Sequence, residues 1–299
     1  MSDNLPPSVQ SSPPSAPPSQ SPPDDSPLTI LTTLLFPLKF ILLSTSFLPR
    51  TLFSSPFVFP IPFTSSYDSF QSKWFGNFWS HVGPLVRINA SALVVPLLSG
   101  RISHGATLPY PRHPPLQGTV LEVGPGSGMW TSTLSSLSQN ITKIYGVEPN
   151  ESNQHLLAQS VKAANLQDKY EIVPLGIESL AAAGKVQKES VDCIMTVMCL
   201  CSIPEPQFNI KELYTYLKPG GRWYVYEHVK AFERQGKWMG LYQTVLNFFW
   251  PHFVGGCEMC RDTPKWLREA GPWSEIDLCE PVGSPWYQTM PHIIGVLTK

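Results

Sequence analysis

Three glycines at alternate positions, Gly124, Gly126 and Gly128 in the run Glu122-Val-Gly-Pro-Gly-Ser-Gly, are the first residues whose type and spacing point to chemistry. Lacking a Cβ, they let the backbone turn sharply and approach a ligand that a side chain would block. Tyr145-Gly-Val-Glu148-Pro follows, and Glu148 lies 20 residues beyond Gly128. An acid there can accept both hydrogen bonds from a ribose diol. Dinucleotide loops use Gly-x-Gly-x-x-Gly. The tighter spacing here, with Glu122 two residues ahead of the first glycine, departs from that pattern and counts against an NAD(P)-dependent oxidoreductase.

The elements that must hold these residues can be read from the pattern beyond residue 116. Strands are expected at 119–123, 143–147 and 170–173, and helices at about 129–137 and 152–164. Such βαβα alternation means a parallel sheet with helices on both faces, a doubly wound α/β fold. Further strands are expected within 191–201, at 223–228, at 274–280 and at 292–297, with a helix at 208–217 ending in Lys218-Pro-Gly-Gly221. Pro stops that helix, and the paired glycines supply positive φ for the reversal.

Together, the acid-x-Gly-x-Gly-x-Gly loop, Glu148 and the later segments resemble the class I S-adenosylmethionine-dependent methyltransferases over residues 116–299. The resemblance implies a Rossmann-like sheet of seven strands, the last antiparallel, and S-adenosyl-L-methionine as cofactor. It assigns cofactor contacts to Glu122, Gly124, Gly126, Gly128 and Glu148. Ile177 and Glu178 inherit the adenine-binding roles, and Thr196, Val197 and Met198 the place beside the sulfonium. Within the superfamily, Val147-Glu-Pro-Asn150, Leu200-Cys-Ser202, Glu227-His-Val229, Gly255-Gly-Cys257 with Thr263, and Pro291-His-Ile-Ile-Gly295 resemble the small membrane-anchored methyltransferases of the methyltransferase-like group. Those relatives carry an N-terminal anchor for endoplasmic reticulum and lipid droplets and methylate alkyl thiols. The implied activity is therefore S-methylation of a small lipophilic thiol. O- or N-methylation of an apolar biosynthetic intermediate or lipid is the alternative, and a membrane-bound interaction protein that retains the fold is the alternative outside catalysis.

Methyl transfer is an in-line displacement that mainly needs alignment and exclusion of water, with a base to take the acceptor's proton. His228, at the C-terminal end of the expected fifth strand where open α/β sheets bind ligands, is the first base candidate and Glu227 the second. An aromatic insertion follows, and Tyr242, Trp250 and His252 within it are expected to meet the acceptor. Cys257-x-x-Cys260 with His252 is only half a zinc site, so no metal is expected.

Composition divides the rest. Of the 32 Pro, 20 fall in residues 1–115 and 12 in the remaining 184. Residues 1–27, nearly all Pro, Ser, Gln and Asp, read as a disordered tail. Residues 28–63 are apolar and read as a membrane-associating segment. Its first part, 28–48, is long enough for a transmembrane helix, although Pro37 and Lys39 also suit an in-plane or hairpin arrangement. The absence of Lys and Arg from residues 1–38 argues against a cleaved signal peptide. Residues 64–115 are expected to form a helical extension or lid, with helices at 69–82 and 85–98 and Phe and Trp at spacings of three to four, ahead of a methyltransferase domain at 116–299. A net charge of −1 and no basic block give no footprint for nucleic acid. Cys193, Cys199 and Cys201 alternate with apolar residues as buried thiols do, which places the domain on the cytosolic side.

Overall fold

A computed structural model describes residues 24–53 and 63–299; the tail up to residue 23 and the Phe- and Pro-rich stretch 54–62 lie outside the described residues. The chain enters through helices α1 (Pro27–Leu34), α2 (Phe36–Thr45), α3 (Leu48–Phe53) and the long α4 (Phe63–Leu98). Ser26 caps α1 by accepting the Thr29 N–H, and the Tyr287 hydroxyl donates to the Asp24 carbonyl; these residues fall within the stretch 1–27 expected as a tail. The break at Leu35 comes two residues before Pro37, whose missing N–H removes a bond to the turn before it and whose ring crowds that turn's carbonyl. Where two helices were expected at 69–82 and 85–98, α4 runs continuously through Pro84. The fixed φ of Pro is already helical, and the hydrogen bond it forgoes is offset by packing: Phe78, Val82, Ala90, Val94, Leu97 and Leu98 are all buried.

After a small hairpin, β1 (Ile102–Ser103) and β2 (Ala106–Thr107), the expected alternation follows: β3 (Gly118–Val123), α5 (Thr131–Ser136), β4 (Ile141–Val147), α6 (Glu151–Ala163), β5 (Tyr170–Val173), α7 (Leu180–Ala183) and β6 (Val191–Val197). Then come α8 (Pro206–Tyr216), β7 (Leu217–His228), α9 (Lys237–Asn247), α10 (Trp250–Phe253), α11 (Thr263–Arg268), β8 (Glu275–Cys279) and β9 (His292–Thr298). The seven-stranded sheet has the order β5-β4-β3-β6-β7-β9-β8, with β9 antiparallel to both neighbours. Pairing jumps from Val191↔Leu217 to Cys193↔Arg222, so the Pro-Gly-Gly turn is looped out within β7. Alternation along the strands fills both faces: Leu121, Ile194, Trp223 and Val225 join one core, Val120, Cys193, Met195 and Tyr224 the other.

The order reverses direction between β3 and β6, so the connections from these adjacent strands leave toward opposite sides and open a crevice at their C-terminal ends. One face of the N-terminal helices closes over that crevice. The Ser44 hydroxyl donates to the Phe253 carbonyl, the Trp74 indole to the Ser44 carbonyl and the Tyr242 hydroxyl to the Leu34 carbonyl. The other face leaves Leu28, Leu31, Leu42, Leu52 and Phe53 exposed. Ser69–Leu98 is long and apolar enough to cross a membrane, and so are Pro27–Leu34 and Phe36–Phe53 taken together, with a bend of 42° between them. α4 packs partly on the sheet, against β7 and β9.

The hairpin is pinned to the far edge of the sheet by Asp277. Its carboxylate accepts from the Ser103 hydroxyl at 2.7 Å and the His104 N–H at 2.7 Å, and pairs with His113 Nε2 at 3.0 Å. Burial alone would raise its pKa, but the hydrogen bonds from His113, Ser103 and His104 outweigh it and bring the group down to about 2. A depressed carboxylate stabilises the fold above its unfolded value of about 3.9 and loses that contribution as pH falls toward about 2. Asp277→Ala should therefore cost about 1–3 kcal/mol near neutrality, with the gap from wild type narrowing as unfolding is followed from pH 4 to pH 2. A gap that does not change over that range would contradict the assignment.

Candidate active site

A cavity of about 640 Å³ lies over the C-terminal ends of the parallel strands. Its wall follows the sheet order, from the tip of β4 through β3 and β6 to β7 and β9. At one end are Gly124, Gly126, Glu148, Asn150, Ile177, Glu178, Val197 and Met198; at the other are Cys201, His228, Trp250, Cys257 and His292. Three strand intervals separate β4 from β7, about 14 Å, which suits one elongated ligand with a second, smaller one beyond it.

Each glycine of the loop has positive φ for a different neighbour. A Cβ on Gly124 would lie 2.7 Å from that of Cys199, and one on Gly128 would lie 2.6 Å from that of Ser160 on α6. At Gly126 the nearest atom would be the Trp79 indole at 3.7 Å, so this position faces open space. Gly124 and Gly128 thus permit close packing, and Gly126 leaves room for a ligand. The Gly126 N–H donates to Glu148 Oε2 at 2.8 Å, and the Asn150 N–H donates to Oε1 at 2.9 Å. Burial raises the Glu148 pKa against these hydrogen bonds. Carboxylate oxygens accept more than one bond each, so Glu148 keeps capacity for a diol at the cavity wall. Asn150 caps α6 and also donates to the Ser72 hydroxyl at 2.8 Å, which ties α4 to the tip of β4.

Other expected contacts fall behind the wall. Glu122 is buried beneath the loop and accepts the Tyr170 hydroxyl at 2.6 Å. Burial, opposed by that hydrogen bond and aided by the Glu148 charge, raises its pKa to about 7. The ring of Tyr170 passes where a side chain at Gly146 would stand. Gly128 packs on α6. Thr196 lies on the opposite face of β6 from Val197, where its hydroxyl accepts the Trp223 indole N–H at 2.9 Å. The same two-residue period on β7 sends Tyr226 and His228 to the cavity and Glu227 away from it. Glu227 is fully buried and accepts the N–H groups of Cys199 at 3.2 Å and Leu200 at 3.1 Å, so it holds the loop after β6. Burial and the nearby Cys201 raise its pKa well above the carboxylate range.

Of the three residues expected to meet the acceptor, Trp250 borders the cavity, whereas Tyr242 and His252 do not. Tyr242 bonds Leu34, and His252 pairs with the Tyr67 hydroxyl at 3.0 Å. Cys257 and Cys260 do not act as a pair: the thiol of Cys260 turns to Gln243, while Cys257 meets His228 Nε2 at 3.1 Å and the Trp250 indole N–H at 3.2 Å. Cys201 completes a buried group with them, and the hydrogen bond from Cys257 together with the nearby His228 lowers the Cys201 pKa well below the thiol range. Nδ1 of His228 has no partner among the described residues, nor has Nδ1 of His292. Burial and His228 lower the His292 pKa to about 3, so its ring, stacked on Tyr226 at 4.7 Å, is neutral.

The roof comes from segments expected to be a membrane anchor and a lid. Phe36 and Phe40 of α2 and Phe75 and Trp79 of α4 border the cavity, and Phe40 stacks on Trp250 at 5.5 Å. The aromatics of α4 recur at spacings of three to four, and Phe75 and Trp79 of that series border the cavity. Nothing in the hydropathy of residues 28–48 told a cavity roof from an anchor.

Residues 102–262 match a methyltransferase domain family. The chain is 32% identical over 186 residues to the thiol S-methyltransferase TMT1B of Rattus norvegicus, covering 60% of this chain and 70% of that protein. It is 28% identical over 187 residues to the thiol S-methyltransferase TMT1A of Homo sapiens, with the same shares covered. The solved structure of the [4+2]-cyclase SpnF is similar in fold at a TM-score of 0.52, with 17% identity over 76% of this chain and 96% of that one. An enzyme named for a cyclisation shares the architecture, so the fold alone does not fix the reaction.

Glu148→Ala removes the acceptor of two backbone N–H groups and the carboxylate at the wall. Titration with S-adenosylhomocysteine should show dissociation constants raised at least ~10-fold for this variant and for Gly126→Arg, which fills the open position, while Tyr242→Phe binds as wild type does. Wild-type affinity in Gly126→Arg would place the ligand elsewhere.

Proposed function

Given that the chain belongs to the methyltransferase domain family and is an S-adenosylmethionine-dependent enzyme, we propose that it methylates the sulfur of a small lipophilic thiol. The reading rests on one observation above the others: at the far end of the cavity the His228 ring borders an apolar, largely aromatic wall, and its buried Nδ1 has no partner among the described residues. S-adenosylmethionine supplies an electrophilic methyl group on a sulfonium. Gly126 leaves room for it, Glu148 takes its ribose, Ile177 and Glu178 its adenine, and Val197 and Met198 border its methionine end. Glu122, Gly128 and Thr196 shape this site from behind, and Glu227 positions the loop that carries Cys199.

His228 is the base. If the ring carries its proton on Nε2 and donates it to Cys257 Sγ, which also accepts from Trp250, Nδ1 keeps its lone pair for the acceptor's proton. The aromatic roof of Phe40, Phe75, Trp79 and Trp250 keeps water from the reacting sulfur and favours acceptors without charge. The relatives named thiol S-methyltransferases support sulfur over oxygen or nitrogen.

Membrane association through residues 28–63, with the domain on the cytosolic side of the endoplasmic reticulum or of a lipid droplet, belongs to the same proposal. It is supported by the apolar side of α1 to α3, where Phe53 is 90% exposed. α9 adds to that support. Trp238, Leu241, Val245 and Phe248 recur along one of its faces and are all exposed, and the bond from Tyr242 to Leu34 places this helix beside α1. An acceptor dissolved in lipid would then meet the aromatic roof first.

His228→Asn should lower kcat by about 10²–10⁴ with the affinity for S-adenosylhomocysteine unchanged. The loss should be larger for alkyl thiols than for aryl thiols, which ionise without help. Turnover of phenols or amines with none of thiols would overturn the sulfur assignment and leave O- or N-methylation in its place.

A further inference from the structure

Cys201, His228 and Cys257 carry ligand atoms that lie within 4.8 Å of one another, in residues that are all buried and all border the cavity. We propose that they form a zinc site, and that an ion bound there switches methyl transfer off by occupying the base. The inhibitory part rests on the role given to His228 above; the binding part does not.

The chemistry of the donors selects the ion. Two cysteine sulfurs and one imidazole nitrogen suit a thiophilic divalent cation, with bonds of about 2.3 Å to sulfur and 2.0 Å to nitrogen. A tetrahedral ion with those bonds separates its ligand atoms by about 3.5–3.8 Å, so the 3.1 Å between His228 Nε2 and Cys257 Sγ opens slightly and a pair as far apart as 4.8 Å closes by about 1 Å. The ion takes both sulfurs as thiolates, with any thiol proton still present released to solvent, and two thiolates with one dication leave no net charge to bury. Three protein ligands leave a fourth position for water or a small thiolate, and the cavity lies beside it.

The surroundings hold the cluster together independently of an ion. The Glu258 N–H donates to the Cys201 carbonyl at 2.9 Å. Arg261 Nη1 donates to the carbonyls of Leu200 and Ile203, both at 2.7 Å, which fixes the loop of Cys201 against the loop of Cys257. The Trp250 indole N–H points at Cys257 Sγ at 3.2 Å, and the Ser202 hydroxyl lies 3.5 Å from Cys201 Sγ, the kind of outer hydrogen bonds that orient metal-binding thiolates.

Ligation consumes the base. With Nε2 bound to the ion, the ring proton moves to Nδ1, and that nitrogen can no longer accept a proton from the acceptor. Zinc and catalysis therefore exclude each other at His228.

Full-length protein, reduced, stripped with chelator and held in detergent, is titrated with Co²⁺ as a spectroscopic probe. One equivalent should produce sulfur-to-cobalt charge-transfer absorption and tetrahedral visible bands, both abolished by Zn²⁺. Cys201→Ser and Cys257→Ser should each weaken Co²⁺ binding at least ~10-fold, whereas Cys260→Ser should not change it. S-adenosylhomocysteine binding, measured on the same variants, reports that each has folded. No charge-transfer band with folded wild type, or a band unaffected by both substitutions, overturns the site. One equivalent of Zn²⁺ should also inhibit methyl transfer, with activity restored by chelator. Stoichiometric binding without inhibition would keep the site and overturn its effect on His228.

Discussion

The site depends on the carboxylate of Glu148, which holds the N–H of Gly126 with one oxygen and that of Asn150 with the other. One buried charge thereby sets the distance between the glycine loop after β3 and the start of α6 after β4. Because a buried carboxylate is costly unless it is hydrogen-bonded, the loop is not free to drift from it. The link extends outward, since Asn150 also binds Ser72 and so fixes the roof helix α4 to the floor. Floor, loop and roof meet at one strand tip, which gives the cavity its shape before any ligand enters.

A two-residue period governs which side chains can act there. On β6 and β7 the residues before and after a cavity-facing position point into the opposite core, so Val197 and His228 border the cavity while Thr196 and Glu227 do not. Their hydrogen bonds are still part of the site: Thr196 holds Trp223 and Glu227 holds the Cys199 and Leu200 amides. A resemblance that assigns a role to a run of neighbours on one strand is thus divided by the strand itself. On His228, Cys257 engages one ring nitrogen, and among the described residues none engages the other.

The apolar N-terminus has two faces with different work. One packs Phe40 against Trp250 and sends hydrogen bonds across to α9 and α10, so it completes the cavity. The other leaves leucines and Phe53 in the open beside an equally apolar face of α9. Hydropathy sums both faces into one number and cannot separate them. Proximity of an apolar outer face to an apolar cavity is the arrangement expected of an enzyme whose small substrate prefers lipid to water.

Local rules made much of this chain legible. Gly spacing, the acid after the second strand, the helix-ending Pro-Gly-Gly and the βαβ alternation act over a few residues, so the parallel sheet, its glycine loop and the place of His228 at a strand end could be read directly. The sequence by itself therefore determined the sheet, the loop and the residue types at its mouth. What it could not determine depends on contacts between distant segments. Cys201 and Cys257 sit on separate loops that Arg261 draws together, whereas the pair with ligand spacing, Cys257 and Cys260, points two ways. The continuity of α4 through Pro84, the pinning of the hairpin by Asp277 and the conversion of an apolar segment into a roof were likewise decided by tertiary packing, because each draws its free energy from partners far away in the chain.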